Sequence, residues 1–507
     1  MISENDRRSA RADRRLVGVD LGIASDHTVR VLRGDGSEVC RRRACPTVES
    51  LTRLETAALV GAPVGTRLEV VIEPTGPAWL PVAVFFTSRG HRVFRVASAK
   101  AADLRRFLSR HAKSNGIDAD TLARLPLLAP GSLQPLELPG CEAAALDRRV
   151  RACDRLTQQG ALHQRRIKDL LRQLMPVTPL TGELSKTDLA VLAHWADPRA
   201  LLAAGRSRLL ATITTTSHGQ QGADRADAWL EGAQAAVDLY GEHPAVAYSD
   251  LAAEVLTEVR LLTAVRAELV GHAEARADAY RWTDPARLAA SLPGLAEVGA
   301  PTVTAIVGRA ARFRTGKQFR SFTGLAPRAS ETGETDRKGQ PMSKAGNRLL
   351  RTTLVRAADH ARRADPQLAQ IYYTQMVERG AEHLKACCVV AAHLAERLHA
   401  VLVRGMPYVV CDTDGSPVDP ATAKRIIAER WTVPLEVRAR RRSRKPAAGQ
   451  RGTPTPGTKA GKAPHQVHPG HERSDARGAD ERGDLPRRAS SAAIPDPVKP
   501  TPVAAAR

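Results

Sequence analysis

The sequence predicts a mixed α/β domain, then a mostly α-helical remainder, then a disordered basic tail. Three observations carry that expectation. Short apolar runs near the N-terminus alternate with helix-like segments, and two of those runs end in an acid. From about Cys141, apolar residues recur instead at three- and four-residue steps. From Arg438 the periodicity stops and the chain is dense in Arg, Pro, Gly and Ser, with 16 Lys and Arg against 6 Asp and Glu up to Arg507.

Leu16-Val17-Gly18-Val19-Asp20-Leu21-Gly22 is an apolar run closed by one acid and one glycine, and it reads as a buried first strand. An acid at the end of such a strand is costly to bury unless it meets a cation, and Gly22 lets a phosphate or a backbone approach closely. The plainer reading is a strand ending in a turn, where Asp is common. Asp26–Arg33 alternates as a second strand, and the turn Gly34-Asp35-Gly36 leads to a third near Glu38–Arg43. Val48–Gly61 is helix-like. Leu68–Glu73 repeats the first pattern, an apolar strand ending in an acid before Pro74-Thr75-Gly76. A helix over Trp79–Arg89, a strand over His91–Ala97 and a helix over Ser98–Leu108 complete the series. Three antiparallel strands followed by alternating helices and strands is the order of the ribonuclease-H-like fold. It is expected over 15–130, behind a flexible basic arm at 1–14.

A third acid follows in Lys113-Ser114-Asn115-Gly116-Ile117-Asp118, where Asp118 opens a helix. Asn115 and Asp118 are three apart and share a face, so both can project toward Asp20 and Glu73; Asp120 cannot. The plainer reading makes Asn115 an N-cap with Asp118 at the third helical position. Phosphoryl-transfer sites hold Mg²⁺ with a few carboxylates that offset charge on the attacking and leaving oxygens. Asp20, Glu73 and Asp118 supply three.

Residues 131–285 are expected to be helical. Leu146, Val150, Cys153 and Leu156, then Ile167, Leu170 and Leu174, mark one long helix, and Leu251, Val255, Leu262, Val265 and Leu269 a second. They suit either a coiled coil between protomers or packing within the chain. Residues 286–430 form a further domain, with 431–507 as the tail. Leu292-Pro293-Gly294-Leu295 and Val298-Gly299 resemble one helix-hairpin-helix, whose backbone N–H groups meet DNA phosphate, or a plain helix connection. Phe313, Phe319 and Phe322 anchor the basic segment 313–351.

Net charge is +22 and the sequence pI is about 10.3, which points to a polyanionic partner, nucleic acid first. The N-terminus lacks the apolar stretch of a secretory signal and no segment reads as membrane-spanning, so a cytoplasmic protein without a membrane partner is expected. Seven cysteines without paired CxxC spacing argue against a zinc or disulfide framework. Aromatics at 4% are too sparse for a single-strand stacking platform.

The runs Val17-Gly18-Val19-Asp20, Ile72-Glu73-Pro74-Thr75-Gly76 and Lys113-Ser114-Asn115-x-x-Asp118-Ala119 are followed by Gly324-Leu325-Ala326-Pro327 and Ser343-Lys344-x-Gly346-Asn347-x-x-Leu350-Arg351. Together, over roughly 15–410, they resemble the insertion-sequence transposases that combine a RuvC-like Asp-Glu-Asp-Asp domain with a C-terminal serine domain. The resemblance implies a DNA recombinase that mobilises its own element. Carboxylates would hold Mg²⁺, a serine would attack the phosphodiester, an element-encoded bridge RNA would guide the reaction, and a coiled coil would join protomers in a dimer or tetramer.

Two departures follow from the comparison of motifs. The third family acid falls on Asn115, which offers a metal an amide oxygen but no charge. The nucleophile's step reads Ser330-Glu331-Thr332-Gly333, which makes Ser330 the preferred attacker and Thr332 the other candidate. Lys113, Arg328, Arg337, Lys338, Lys344 and Arg351 are candidate phosphate contacts. The competing readings are a non-catalytic nucleic-acid-binding remnant and a RuvC-like junction nuclease.

Overall fold

The computed structural model describes residues 13–74, 76–108, 114–180, 182–328, 331–332, 335–336 and 340–441. Most of the expected N-terminal arm and the chain beyond 441 lie outside the described residues.

Strands β1 (Arg15–Asp20), β2 (His27–Arg33), β3 (Glu38–Ala44), β4 (Leu68–Ile72) and β5 (Arg92–Arg95) form one sheet in the order β3-β2-β1-β4-β5. β1, β2 and β3 are antiparallel neighbours, whereas β4 joins β1, and β5 joins β4, in parallel. The sheet is covered on both faces, which is why β1 and β4 read as continuous apolar runs rather than alternating ones. One face packs Val17, Val19, Val70 and Ile72 with Leu51 and Leu54 of α1 (Val48–Leu59) and Val82 and Phe86 of α2 (Trp79–Ser88). The other face takes α4 (Asn115–Leu128), which follows α3 (Ser98–Leu108) and sets Leu122 and Leu125 against Val71 and Phe94.

Gly18 makes that second contact possible. A Cβ there would lie 2.0 Å from the carbonyl oxygen of Ala119 and 2.4 Å from the amide of Ala123, so α4 sits directly on the β1 backbone. The sheet unit runs slightly past its expected end at 130, since the Leu136 amide donates to the Val93 carbonyl at 2.7 Å.

Beyond it, α5 (Cys141–Leu174) and α9 (Tyr248–Thr283) run side by side, with His163 Nδ1 2.5 Å from Glu258 Oε2. The apolar seams of these two helices are thus largely satisfied within the chain: Leu146, Val150, Ile167, Leu174, Val255 and Leu262 are all buried. Between them α6 (Lys186–His194), α7 (Pro198–Thr216) and α8 (Ala223–Tyr240) build a helical core around Trp229.

The C-terminal core gathers Leu146 and Val150 of α5 with α10 (Gly299–Val307), α11 (Gly316–Thr323), α12 (Arg348–Ala361), α13 (Pro366–Tyr373) and α14 (His383–Arg404). By length and composition α14 could cross a membrane, contrary to the expectation that no segment reads so. Its Val390, Leu394 and Leu398 instead lie in this core. Phe313, Phe319 and Phe322 cluster as expected, with ring centroids 5.2 and 5.0 Å from Phe313.

One expectation is corrected here. The tail does not begin at 431. After α15 (Pro420–Arg430), Val433 is buried in the C-terminal core, Val437 of α16 (Leu435–Arg440) packs on it, and the His383 amide donates to the Arg441 carbonyl. Those two apolar residues in an Arg-rich stretch were the missed signal. The helix-hairpin-helix glycine, Gly294, is accounted for by packing within the chain, because a Cβ there would meet the Ala357 carbonyl at 2.3 Å.

Candidate active site

Parallel pairing of Val19 with Ile72 places Asp20 and Glu73 side by side where β1 and β4 end. Alternation along β1 puts Asp20 on the same face as Gly18, the face covered by α4. The C-terminal half of α4 lies over the start of β1, where Ala123 packs with Leu16 and Leu32, so its first turn lies over the strand ends. Glu73 and Asp118 line one cleft of about 190 Å³ with Ser98, Ala101, Arg105 and Thr121.

Within the cleft Arg105 Nη1 donates to Asp118 Oδ1 at 2.9 Å and Oδ2 at 3.3 Å. Both side chains are about four-fifths buried. The Arg30 guanidinium reaches the start of α4, where a Cβ on Gly116 would lie 3.0 Å from Nη2. Neither arginine was legible as a site residue. Arg105 belongs to the last turn of α3, and only the docking of α3 on α4 brings it to an acid 13 positions away.

The start of α4 differs from expectation. Helix geometry begins at Asn115, three residues before Asp118, and the N-cap is Ser114, whose hydroxyl accepts from the Ile117 amide at 3.3 Å. Asn115 is exposed, outside the lining of the cleft. Asp120 accepts from Arg124 Nε at 2.7 Å and does not line the cleft. Lys113 lies outside the described residues. The donor set suits a hard divalent cation, which takes carboxylate oxygens. The guanidinium on Asp118 is a resident stand-in for positive charge there.

The second candidate region begins at Gly324, which caps α11 in the left-handed conformation with φ 74°. Residues 324–328 run against 341–344: the Arg328 amide donates to the Pro341 carbonyl at 3.0 Å, and the Ser343 amide to the Ala326 carbonyl at 2.8 Å. They close a loop whose backbone carries a two-residue ladder, Glu331–Thr332 against Thr335–Asp336. Ser330, Arg337 and Lys338 lie outside the described residues. Arg328 and Lys344 are exposed at the loop's base.

Much of the family-like motif here has a structural cause. Gly346 abuts Gly324, since a Cβ would meet its amide at 2.4 Å. Asn347 caps α12 by accepting from the Leu350 amide at 2.9 Å. Arg351 Nη1 donates to the Lys344 carbonyl at 3.1 Å, so at least one of its donors is spent holding the loop.

A cluster that sequence reasoning missed is Asp359, His383 and Cys387. His383 and Cys387 are one helical turn apart on α14, a spacing that can ligate metal. Asp359 already accepts from Arg362 at 2.7 Å and Arg363 at 2.9 Å, and burial pushes the Cys387 thiol up to about 12. Those features favour a neutral thiol beside a satisfied ion pair over a thiolate ligand.

Comparison with known proteins points to one class of enzyme. Residues 17–176 match a transposase family of DEDD type typified by IS110, and residues 286–374 match the transposase IS116/IS110/IS902 family. The chain is a transposase, similar to those of the IS110 family. It is 26% identical over 400 residues to the insertion element IS110 uncharacterized 43.6 kDa protein of Streptomyces coelicolor, covering 77% of this chain and 95% of that one. A probable family 20 transposase of Pseudomonas aeruginosa is 41% identical over 68 residues, which are 13% of this chain and 20% of that one. This transposase is therefore an enzyme acting on DNA. The first match contains the cleft, and the second contains the loop bounded by Gly324 and Asn347.

Proposed function

We propose that this transposase cuts and rejoins DNA with a ribonuclease-H-like carboxylate site on its sheet and a hydroxyl nucleophile in its C-terminal loop. The observation that carries the reading is the meeting of Glu73 and Asp118 in one cleft beside the end of β1. Asp20, Glu73 and Asp118 would hold a divalent cation, Mg²⁺ by its preference for carboxylate oxygen. When bound, such an ion offsets phosphate charge and stabilises the oxygens that exchange at phosphorus.

The chain's own groups do the rest. Arg105 pairs with Asp118 and gives way to the ion, and Arg328, Lys344 and the basic residues of the loop hold the phosphate backbone. The Ser330 hydroxyl is the attacker in this reading, since a primary alcohol is less crowded than that of Thr332. Its attack forms a phosphoester to the protein and releases a DNA hydroxyl. The net charge of +22 suits a second polyanion as well, the element-encoded guide RNA that the family resemblance implies. Protomer pairing would bring one copy's loop to another copy's carboxylates.

The test is a covalent protein–DNA adduct on denaturing gels, using duplexes that bear the element's ends. Ser330→Ala should abolish the adduct with nucleic-acid binding nearly unchanged, and Thr332→Ala should reduce it only modestly. The reverse ranking moves the role to Thr332. Wild-type protein that binds DNA yet forms no adduct and no cut strand is the remnant, in which Asn115 marks a decayed site.

A further inference from the structure

The first half of α5 carries a groove that neither candidate region uses. Its volume is about 430 Å³, and it is lined by Ala145, Arg148, Arg149, Arg151, Ala152 and Arg155 of α5 and by His272 of α9. The spacing explains the shape. Arg148, Arg151 and Arg155 fall at three- and four-residue steps on one side of the helix. Ala145 and Ala152, seven apart, leave a low floor between the arginine stems.

The charge of the groove is poorly compensated. No carboxylate lines it. Asp147, next to the lining, accepts from Arg151 Nε at 2.8 Å, and Asp154 is engaged by Gln158 at 2.8 Å. Arg149 Nη1 faces His272 Nδ1 at 3.4 Å, and Arg148 and Arg155 make no ion pair among the described residues. Arg276, one turn beyond His272 on α9, is 8% exposed with its Nε unpartnered. Several guanidiniums held close together without acids are costly unless an anion completes them.

The positive line continues past the helix. Arg95 at the end of β5 has its pKa lowered by burial and by the charge of Arg151, which outweigh the opposing pull of Asp147, and Arg312 has its own lowered by burial and by Arg95, which outweigh that of Glu137. Like charges thus adjoin from α5, past the edge of the sheet that carries the carboxylates, to the turn before α11 in the C-terminal domain. An extended polyanion fits that course better than a small one does, because a single phosphate would satisfy only two or three of these groups.

We propose that the α5 groove, centred on Arg148 and Arg155, grips the phosphate backbone of the DNA duplex between the sheet domain and the C-terminal domain. DNA is the occupant because the enzyme acts on it and the arginine line joins the two matched regions. The contacts are to the backbone, so they position the duplex without reading its sequence.

The experiment measures duplex binding by the full chain with fluorescence anisotropy across a KCl series, without divalent ions. Removing one phosphate-binding arginine lowers the slope of log affinity against log salt by about 0.9. Arg148→Ala/Arg155→Ala should therefore lower the slope by about 2 and weaken binding roughly ten-fold or more at 0.1 M salt. The control Arg165→Ala/Arg208→Ala removes the same charge from exposed helix positions outside the groove, and should change affinity less than about two-fold. Circular dichroism melts of both variants should match wild type. Equal losses in the two variants would overturn the proposal, since net charge alone would then explain them. So would a groove variant that keeps its DNA affinity and loses only binding to an RNA of the same length.

Discussion

The carboxylate cleft and the hydroxyl-bearing loop solve the same problem, fixing polar groups at the end of an element, in opposite ways. The cleft is assembled from long-range pieces. Asp20 and Glu73 are 53 positions apart in sequence and reach adjacent strand ends through register, and Asp118 shares the cleft with Glu73 because Gly18 lets α4 lie on bare backbone. The loop is assembled locally, from a left-handed glycine, a short antiparallel closure over 324–344 and an N-cap at Asn347. A site built through packing inherits the rigidity of the sheet. A site built through a loop depends on the few contacts at its base.

The sharpest way to break that contrast is to fill the two close glycine contacts. Gly18→Ala should be the more damaging, since its Cβ would strike the backbone of Ala119 and Ala123 in the middle of a helix–sheet interface. The expected loss is on the order of 3 kcal/mol or outright failure to fold, read by chemical denaturation. Gly346→Ala meets the amide of Gly324 and the carbonyl of Phe322. There the loop base can yield, so strand-transfer activity should fall further than global stability does. If Gly346→Ala unfolds the protein while Gly18→Ala is tolerated, the loop is the rigid site and the contrast is reversed.

A smaller effect is expected at Arg105. Arg105→Ala removes a part-buried ion pair, at a cost of about 1 kcal/mol, but frees both oxygens of Asp118. Divalent-ion affinity should rise several-fold in titration calorimetry, and Arg105→Lys should restore most of the wild-type value. A fall in affinity would mean that Arg105 positions the carboxylate for the ion instead of competing with it.

The smallest effect is on acid stability, and both halves should show it. Burial lowers the pKa of His27 in β2 and of His383 on α14 below the ordinary value of 6.5. The unfolded chain therefore binds more protons than the folded one as pH drops through that range, and stability is lost on acidification. The melting temperature should fall by a few degrees between pH 7.5 and 5.5, and by less in His27→Phe. An unchanged pH slope in that variant would remove His27 from the account.

What the sequence made legible follows the same division. The places of Asp20 and Glu73 at strand ends could be read because each closes an apolar run, and the succession of strands and helices could be read from residue patterning. The partner of Asp118 could not be read, because nothing local links Arg105 to it. Nor could the cap: Ser114 and Asn115 are both good N-caps, and only backbone geometry separates them. The motif Gly324 to Arg351 read as chemistry, yet Gly324, Gly346 and Asn347 are explained by close approach and capping, and Arg351 is partly spent on the Lys344 carbonyl. The long helices' periodicity named their apolar seams but left open whether the partner was another copy or the same chain.

The central claim is that Asp20, Glu73 and Asp118 act as one cation site. The most direct measurement is Mn²⁺ binding by the full chain, by titration calorimetry, in wild type and in Glu73→Gln. We expect saturable binding in wild type, at least ten-fold weaker binding in Glu73→Gln, and metal-dependent strand cleavage lost in the variant with duplex binding kept. Equal Mn²⁺ affinity and equal cleavage in the two proteins would contradict the account.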